Sequence, residues 1–542
     1  MKNKILLPVI ITISIAAGIA IGSYFSRNVV IKGTSISFPR ASNKLSGLLE
    51  VINQLYVDTV DIKDLIEKTI PTVLDDLDPH SSYIKAEDLE NANEELEGHF
   101  SGIGVQFNLQ NDTITVVNVI SGGPAEKVGV MPGDRIVEIN DTLFVGKEIT
   151  NEKVMKHLRG VKGSEVKIGV KRATAESILP FAIIRGDIPV NSIDVSYKID
   201  EGIGLIRISK FGATTYNEFI TALAKLSSQG CDRFIIDLRG NLGGYMEAAI
   251  NMINEFLPAK QLIVYTEGKS VPRNEAFSNG AGAFQQSPVV VLLDEWSASA
   301  SEIFAGAVQD NDRGLIIGRR SFGKGLVQQQ LPFNDGSAIR LTIARYYTPS
   351  GRSIQKKYEP GKGEEYELDL YERYQRGEFF SKDSIKQVDS TEYFTVGKRV
   401  VYGGGGIMPD IFIPRDTIEF TPYFNRVVNF SILYQFCFQF ADQNRAAIAA
   451  LPDTKAIEAY LNKKNVLNEF IAYAESKGVK PNRADIAKSR DLLTDQIYAY
   501  IARNAKDDEA FFRLFFKHDD TVLRAVKEIK LIGPSVSQYS SN

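Results

Sequence analysis

The pattern of hydrophobic and polar positions divides the chain into segments of different character. Residues 5–26 carry no charge, and this run is long enough to cross a bilayer, which takes about 20 apolar residues. Apolar residues at helical spacing follow over 43–95, with a turn at 76–83 that interrupts them. Short alternating strands and turns then fill 98–173, which indicates a compact β-rich module.

From about residue 190, strands and helices alternate, which predicts a layered α/β core. Helices are expected at about 215–228, 245–256 and 301–310. The stretch 272–287, rich in Gly, Asn and Gln, is predicted to be a surface loop, and the highly charged stretch 356–395 a peripheral insertion. After Pro422 the periodicity is helical to about Ile529.

The apolar run 5–26 is preceded by Lys2 and Lys4, which favours an uncleaved membrane anchor with a cytoplasmic N-terminus. A cleaved signal peptide and a buried core helix are the alternatives. The sequence after the run, Gly22-Ser23-Tyr24-Phe25, is a poor match to a small-residue cleavage site. The rest of the chain is therefore expected in the cell envelope, in the periplasm and anchored to the inner membrane.

Composition narrows the function classes. The 542 residues are 44% hydrophobic and 24% charged, as in a folded protein of several domains, and a net charge of -4 gives no reason to expect nucleic-acid binding. With only two cysteines, a Cys-rich zinc site and a multi-disulfide scaffold are excluded, and Cys231 and Cys437 are expected to be free buried thiols. Only four histidines are present, which limits every mechanism that needs a histidine base.

The β-rich module contains the features of a peptide-binding groove. Glycines in Gly102-Ile103-Gly104-Val105 leave backbone amides uncovered, and consecutive amides can bind a terminal carboxylate. The later segments 122–130 and 132–140, GGPAEKVGV and PGDRIVEIN, resemble the PDZ domain pattern. We expect one wall of the groove at 102–105 and the other on a helix, at Val154 and Leu158. The alternative is a small β-domain that only packs against its neighbours.

The stretch Ser297-Ala298-Ser299-Ala300-Ser301-Glu302-Ile303 lies between an apolar strand and an apolar helix. A hydroxyl at such a junction lies at the positive end of the helix dipole, where amides can stabilise an oxyanion. This suits a nucleophile. However, serine is also a favoured helix N-cap, and the pattern Ser–x–x–Glu resembles a capping box.

A nucleophilic serine needs a base. None of the histidines lies in the α/β segment that holds the serines. Lys324, between two glycines, is the candidate, because burial can keep a lysine neutral. If the following residues are extended, Gln328 lies on the same face as Lys324 and can hold its amine.

Taken together, these stretches resemble the C-terminal processing (tail-specific) serine peptidases. The other matching motifs are Leu77-Asp78-Pro79-His80-Ser81, Asp237-Leu238-Arg239-Gly240-Asn241-x-Gly243-Gly244, Phe322-Gly323-Lys324-Gly325-x-Val327-Gln328 and Gly406-Ile407-x-Pro409-Asp410. The resemblance implies Ser299 as nucleophile, Lys324 as base and Gln328 as its support. It also implies an oxyanion hole formed by the amide of Ala300 and that of Gly243 or Gly244. Asp310 matches the motif as well and is interpreted as structural.

The predicted fold class is α/β, with a layered peptidase core related to the crotonase-like architecture, an inserted PDZ domain and a helical C-terminal region. The expected divisions are 1–26, 27–97, 98–175, 176–415 and 416–542. The expected function is endopeptidase cleavage of proteins recognised by their C-terminal residues, without metal, cofactor or ATP; homo-oligomerisation is left open. The alternatives are a C-terminus-binding protein that does not cleave and an acyl-CoA-type lyase.

Overall fold

The structure is a computed structural model, and it describes residues 44–532 except 111, 121, 173–174, 387–389 and 418. The expected membrane segment 5–26 lies outside the described residues. Among those that are described, no helix has the length and apolar character needed to span a membrane. The described residues form two compact units, which divide between residues 72 and 73. Helix α1 (Lys44–Leu55) belongs to the first unit, and α2 (Ile62–Asp75) begins in it.

The β-rich module begins after β1 (Ser82–Ile84) and α3 (Leu89–Glu97). Its elements are β2 (His99–Gly102), β3 (Val105–Gln110), β4 (Thr113–Val119), α4 (Pro124–Lys127), β5 (Arg135–Ile139), β6 (Thr142–Leu143), α5 (Asn151–Leu158), β7 (Glu165–Lys171), β8 (Leu179–Ile184) and β9 (Gly186–Pro189). In β7, buried Val166 and Ile168 alternate with exposed Glu165 and Lys167, as expected for a strand with one face on a core. The sheet order is β3-β4-β5-β7-β8, so β3 is an edge strand.

The central sheet has the order β10-β11-β12-β15-β16-β21. Its strands are β10 (Ile193–Asp200), β11 (Ile203–Ile208), β12 (Arg233–Asp237), β15 (Val289–Leu293), β16 (Leu315–Gly318) and β21 (Ile411–Phe412). All neighbours from β11 to β21 are parallel. Each residue of β15, VVVLL, is buried, as is typical of a parallel strand covered on both faces.

One face of the central sheet packs on α6 (Thr215–Ser228), α7 (Met246–Asn254) and α8 (Ala300–Asp310). The opposite face, which includes Ile235, Val290 and Leu292, packs on the C-terminal helices. These helices are α10 (Pro422–Asn429), α11 (Ile432–Ala449), α12 (Thr454–Lys463), α13 (Val466–Ser476), α14 (Arg483–Lys488), α15 (Arg490–Ala505), α16 (Asp508–Phe515) and α17 (Asp520–Leu531). The helical extension therefore forms one of the three layers of the core.

A second sheet contains β1, β18 (Ala338–Tyr347), β13 (Leu262–Glu267) and β14 (Asn274–Phe277), and β17 (Leu326–Pro332) also pairs with β18. The expectation of a surface loop over 272–287 is wrong at Asn274–Phe277, which pairs with β13. The strand is mostly exposed, so its sequence carries no alternating apolar signal.

The expectation of a peripheral insertion at 356–395 is also wrong. This stretch contains α9 (Gly363–Gln375), a 3₁₀-helix (Lys382–Ser384) and β19 (Glu392–Phe394), which pairs with β20 (Val400–Tyr402). Arg373 on α9 is buried and donates hydrogen bonds to the carbonyl oxygens of Arg320 and Ser321, at 2.8 and 3.0 Å. Glu378 pairs with both Arg320 and Arg373 at 2.7 and 2.8 Å. Arg373 and Glu378 thus form a buried charge network behind the Lys324 loop, whereas most other charged residues of the stretch are exposed.

Candidate active site

The three serines of the segment after β15 have different environments. Ser297 and Ser301 are fully buried, and their hydroxyls donate to the carbonyl oxygens of Leu238 and Asn241, both at 2.9 Å. Ser299 is partly exposed. Of the three, Ser299 is therefore the one whose hydroxyl can meet a substrate.

The backbone of Ser299 is strained. It has φ 55° and ψ −114° at the N-cap of α8, a conformation that non-glycine residues rarely adopt and that is concentrated at functional sites. The Ser299 N–H donates to Oε2 of Glu302 at 2.8 Å, as in a capping box. The capping interpretation and the nucleophile interpretation of this serine are thus compatible, because the cap uses the backbone of Ser299.

The glycine turn after β12 lies against the nucleophile segment. A Cβ on Gly243, which has φ 101°, would lie 2.7 Å from Ser299 Cβ and 3.0 Å from the Ala300 nitrogen, so no larger residue fits. The Gly243 N–H donates to Asn241 Oδ1 at 2.8 Å. Among the described residues, no hydrogen-bond partner is found for the amides of Gly244 and Ala300. The geometry thus favours Gly244 over Gly243 as the second oxyanion donor beside Ala300.

Lys324 lies in the loop between β16 and β17, largely shielded from solvent. Burial lowers the pKa of its amine, and the positive charge of Arg340 lowers it further, while Glu302 and Asp78 act in the opposite direction. The net effect is a pKa below the ordinary lysine value, which increases the neutral fraction that can act as a base.

Tyr346 on β18 connects the serine and lysine segments. Its hydroxyl lies 2.5 Å from the Lys324 carbonyl oxygen and 3.1 Å from the Ser299 carbonyl oxygen, and the side chain is buried. Because both contacts are to backbone atoms, Tyr346 fixes the distance between the two chain segments and leaves the reactive side chains free.

Glu302 is fully buried at the centre of the site and accepts four hydrogen bonds. Oε1 accepts from the Ser321 hydroxyl at 2.5 Å and from the Gly323 amide at 2.7 Å. Oε2 accepts from the amides of Ser299 and Lys324 at 2.8 and 2.9 Å. Burial raises the pKa of Glu302 to about 7 despite these donors. One carboxylate therefore holds the backbones of both candidate catalytic residues.

Gln328 does not contact the Lys324 amine in the manner expected from the sequence. Strand β17 begins after Lys324, and its register is irregular between Val327 and Gln328, so a simple period of two does not apply. The Gln328 amide instead donates to Thr342 Oγ1 at 3.2 Å, and that hydroxyl donates to Asp78 at 3.0 Å. The surroundings of the Lys324 amine, here called the lysine pocket, include Asp78. Gln328 thus supports the wall of this pocket through Thr342.

Asp78 and His80, from the Leu77–Ser81 motif, also lie at this wall. Asp78 accepts from the amides of His80 and Ser81, both at 2.9 Å. The His80 Nε2 lies 2.9 Å from the Tyr366 hydroxyl. Burial and the positive charge of Lys324 lower the pKa of His80 to about 4, against the effect of Asp78, so the ring is neutral at neutral pH.

Asp310 lies at the opposite end of α8 from Ser299. Its carboxylate pairs with Arg352 at 2.7 Å, with both side chains fully buried, and accepts from the Ser350 hydroxyl at 2.6 Å. It anchors the loop after β18 to the core, so the arrangement is that of a structural ion pair.

The sequence of this chain is similar to those of known peptidases. The family model of peptidase family S41 matches residues 202–362, and that of the PDZ domain matches 101–179. A carboxy-terminal-processing protease of Bartonella bacilliformis is 35% identical over 345 residues, which is 62% of this chain and 78% of the relative. The chain belongs to peptidase family S41.

This S41 peptidase is also similar to other known proteins. Carboxy-terminal processing protease CtpB of Bacillus subtilis is 35% identical over 321 residues, 59% of this chain and 66% of the relative. A solved photosystem II D1 C-terminal processing protease is 23% identical, with 68% of this chain and 92% of that chain covered and a TM-score of 0.35. Residues 423–507 match a family of unknown function, DUF8443. The chain is a serine-type peptidase with a PDZ domain.

The PDZ domain of this S41 peptidase has a groove of about 300 Å³ between β3 and α5. Predicted residues that line it are Gly102, Ile103, Gly104, Val105 and Leu158. Val154 does not line it: this side chain is fully buried in the domain core, and the neighbouring Met155 takes its place at the groove. Arg159 also lines the groove, where it pairs with Glu94 at 2.8 Å.

A second cavity, of about 570 Å³, opens beside the lysine pocket of the peptidase. Its aromatic wall combines Trp296 from the nucleophile segment, Phe322 from the Lys324 loop, and Tyr366 and Phe379 from the stretch expected to be peripheral. His80 lies on the same wall. Trp296, which directly precedes Ser297, thus lies in the wall of this cavity.

The sequence did not identify three residues that contribute to the site. Glu302 was seen only as a capping residue, although its place three positions after Ser299 was a signal. His80 lay in a matching motif without an assigned role. Tyr346 carried no signal at all, because its contacts join segments that are distant in sequence.

The charge environment of Lys324 predicts a specific pH response. With Lys324 as the base, activity would require its neutral amine, so kcat/KM should rise with pH along a limb set by a pKa below the ordinary lysine value. Arg340→Gln removes a positive neighbour, raises the pKa of Lys324 and should therefore move this limb to higher pH. Arg345→Gln, on the same strand, removes an exposed arginine and should leave the limb in place. Matched pH profiles of kcat/KM for the three proteins provide the check, and an unmoved limb in Arg340→Gln would show that Arg340 does not set the pKa of this limb.

Proposed function

We propose that this S41 peptidase cleaves polypeptides with Ser299 as nucleophile and Lys324 as general base, without a metal or cofactor, and selects substrates by their C-termini. The observation that carries the proposal is the position of Ser299. Its strained backbone is held by the same carboxylate, Glu302, that holds the Lys324 backbone. It lies beside the amides of Gly244 and Ala300, which have no hydrogen-bond partner among the residues that the structure describes.

The chemistry follows from these groups. The neutral Lys324 amine takes the Ser299 hydroxyl proton as Oγ attacks the scissile carbonyl carbon. The carbonyl oxygen becomes an oxyanion, to which the amides of Ala300 and Gly244 donate; in comparable enzymes one such donor contributes about 3–4 kcal/mol. The Lys324 ammonium then protonates the leaving amine. Water hydrolyses the acyl-enzyme: Lys324 takes a proton from the attacking water and gives it to the departing Ser299 oxygen. Gln328 acts on this lysine indirectly, through Thr342 and Asp78.

Substrate selection is assigned to the PDZ groove. Strand β3 is an edge strand and can pair with a substrate tail by strand addition. In the described part of the chain, no hydrogen-bond partner is found for the amides of Ile103 and Gly104, which can receive the terminal carboxylate together with the guanidinium of Arg159. The apolar lining by Met155 and Leu158 suits an apolar last side chain.

The cavity walled by Trp296 and Phe322 is assigned to an apolar substrate side chain near the scissile bond. We further propose that residues 5–26 anchor the protein in the inner membrane, so that the catalytic part lies in the periplasm. The apolar run supports the anchor, and the two relatives described above, each 35% identical to the chain over the matched residues, are bacterial.

The proposed function predicts cleavage that depends on a free substrate tail. Purified full-length protein is incubated with an unstructured polypeptide that ends in apolar residues, and with the same polypeptide carrying a C-terminal amide. New N-termini should appear in mass spectra with or without EDTA. The amidated substrate should react about tenfold to a hundredfold more slowly, because a hydrogen-bonded charge contributes about 1.5–3 kcal/mol. Tail-dependent binding without new N-termini would instead establish a C-terminus-binding protein that does not cleave.

A further inference from the structure

Arg239 links the active-site turn to the rest of the molecule. It directly precedes the turn Gly240–Gly244 and is largely buried. Its guanidinium donates to both carboxylate oxygens of Asp237, through Nε at 2.9 Å and Nη2 at 2.8 Å. Its third nitrogen, Nη1, donates to Asp519 at 3.0 and 2.8 Å. The last contact comes from the C-terminal helical extension.

Asp519 is the N-cap of α17. Its Oδ1 accepts from the Val522 amide at 2.9 Å, while both of its oxygens contact Arg239. Helix α17 itself is fixed to the sheet, because Val522 and Ala525 are buried in the cluster that contains Ile235 of β12. Asp519 is thus a rigidly held carboxylate placed directly behind the turn.

The turn transmits this anchoring to the nucleophile segment. The Asn241 carbonyl oxygen accepts from the Ala298 amide at 3.0 Å and from the Ser301 hydroxyl at 2.9 Å. Gly243 lies in contact with Ser299. A shift of Arg239 would therefore move Gly244 relative to Ser299, and with it one of the two oxyanion donors.

The local charges show why Asp519 is needed. Asp237 is fully buried and is shared by two arginines, Arg239 and Arg207, the latter at 3.0 Å. Burial alone would raise the pKa of Asp237, but the two arginines hold it at about 2. Arg207 has a second carboxylate partner, Asp194, at 3.2 Å. Without the Asp519 charge, Arg239 would keep only Asp237 as an ion-pair partner and would share it with Arg207, which weakens the hold on the Arg239 guanidinium.

We propose that the helical extension is part of the catalytic apparatus, with Asp519 as a positioning residue that holds the oxyanion turn in place through Arg239. This inference rests on the proposed roles of Ser299, Ala300 and Gly244. It gives a function to a region of the chain that would otherwise be a packing layer.

The test uses Asp519→Asn in the full-length protein. Asparagine caps a helix as well as aspartate does, so α17 should remain folded while the charge that faces Arg239 is lost. The control is Lys530→Gln, which removes an exposed ion pair between the same helix and Asp200, at 2.6 Å and far along α17 from the turn. For each protein we would measure kcat, KM, Tm and inhibition by a peptide aldehyde. On addition of the Ser299 oxygen to the aldehyde carbon, the carbonyl oxygen occupies the oxyanion position.

In Asp519→Asn, kcat should fall about tenfold and aldehyde inhibition should weaken about tenfold. This is less than the loss of about 10²-fold or more expected when an oxyanion donor is removed, because here the donor is only displaced. KM and the affinity for a product peptide should stay within about twofold, because neither depends on the oxyanion. Lys530→Gln should match the wild type in all of these measurements.

Three outcomes would overturn the inference: an unchanged kcat in Asp519→Asn, equal losses in kcat and product affinity, or a loss that merely follows the unfolded fraction. Failure of the proposed function has a different signature, since Ser299→Ala would then retain the cleavage activity of the wild type. An active wild type, an inactive Ser299→Ala and an unchanged Asp519→Asn would reject the role of the extension alone.

Discussion

Ser299→Ala and Lys324→Ala should each abolish peptide cleavage, with losses of about 10⁴-fold or more in kcat, as found when members of a catalytic unit are removed. The first variant removes the attacking oxygen, and the second leaves the hydroxyl without a base. The double variant should be no worse than either single one, because the two groups act in the same step. Single-turnover rates on the tailed substrate provide the measurement.

The two neighbouring serines provide the matched controls. Ser297→Ala and Ser301→Ala each lose one buried hydrogen bond to a carbonyl oxygen, and Ser297→Ala also loses the bond that its hydroxyl accepts from the Asp294 amide at 3.0 Å. Stability should fall by about 1–3 kcal/mol. At a temperature where they remain folded, both should still cleave. Lys324→Ala should be no less stable than the wild type, because it removes an amine that is partly desolvated. An active Ser299→Ala, or an inactive Ser297→Ala that is fully folded, would assign the nucleophile elsewhere.

The central layers of the fold were predictable because their signals are local. The apolar run of β15 is continuous, as parallel strands covered on both faces require, and α6 has the predicted bounds Thr215–Ser228. Edge strand β14 was missed because its exposed side chains leave no periodic pattern. Arg373 was misplaced because its buried guanidinium bonds to the carbonyl oxygens of Arg320 and Ser321, which are distant in sequence, so composition alone indicated exposure.

The candidate site likewise has parts that local sequence predicts and parts that it does not. The nucleophile segment and the lysine loop are contiguous motifs, and their resemblance to a family could assign them before any geometry was known. The orientation of a helix face is less well determined by sequence: Val154 and Met155 are both apolar and adjacent on α5, yet only Met155 lines the groove. Contacts such as Tyr346 with Ser299, or Asp519 with Arg239, depend on tertiary packing. No local pattern encodes them.

Glu302→Gln should lower both stability and activity, because the buried carboxylate accepts four hydrogen bonds and a glutamine oxygen can accept only two of them. The new NH2 group would replace one of the two carboxylate oxygens. Depending on its orientation, it would leave unsatisfied either the amides of Ser299 and Lys324 or the Ser321 hydroxyl and the Gly323 amide. At about 1–3 kcal/mol for each of the two buried unsatisfied donors, the free energy of unfolding should fall by about 2–6 kcal/mol. Cleavage by the folded enzyme should fall about 10²-fold or more, since small displacements of reacting groups are costly.

Asp310→Asn separates the two effects of the Glu302 substitution. Asp310 is a buried carboxylate on the same helix, at the end away from Ser299, and it accepts from Ser350 and Arg352. Its loss should destabilise the protein by a comparable amount, measured by urea unfolding, while kcat of the folded enzyme stays within about threefold, because no reacting group is displaced. If Glu302→Gln retained kcat to the same extent, Glu302 would be only a folding residue. If both variants lost activity equally, the integrity of α8 as a whole, and not the carboxylate beneath Ser299 and Lys324, would control catalysis.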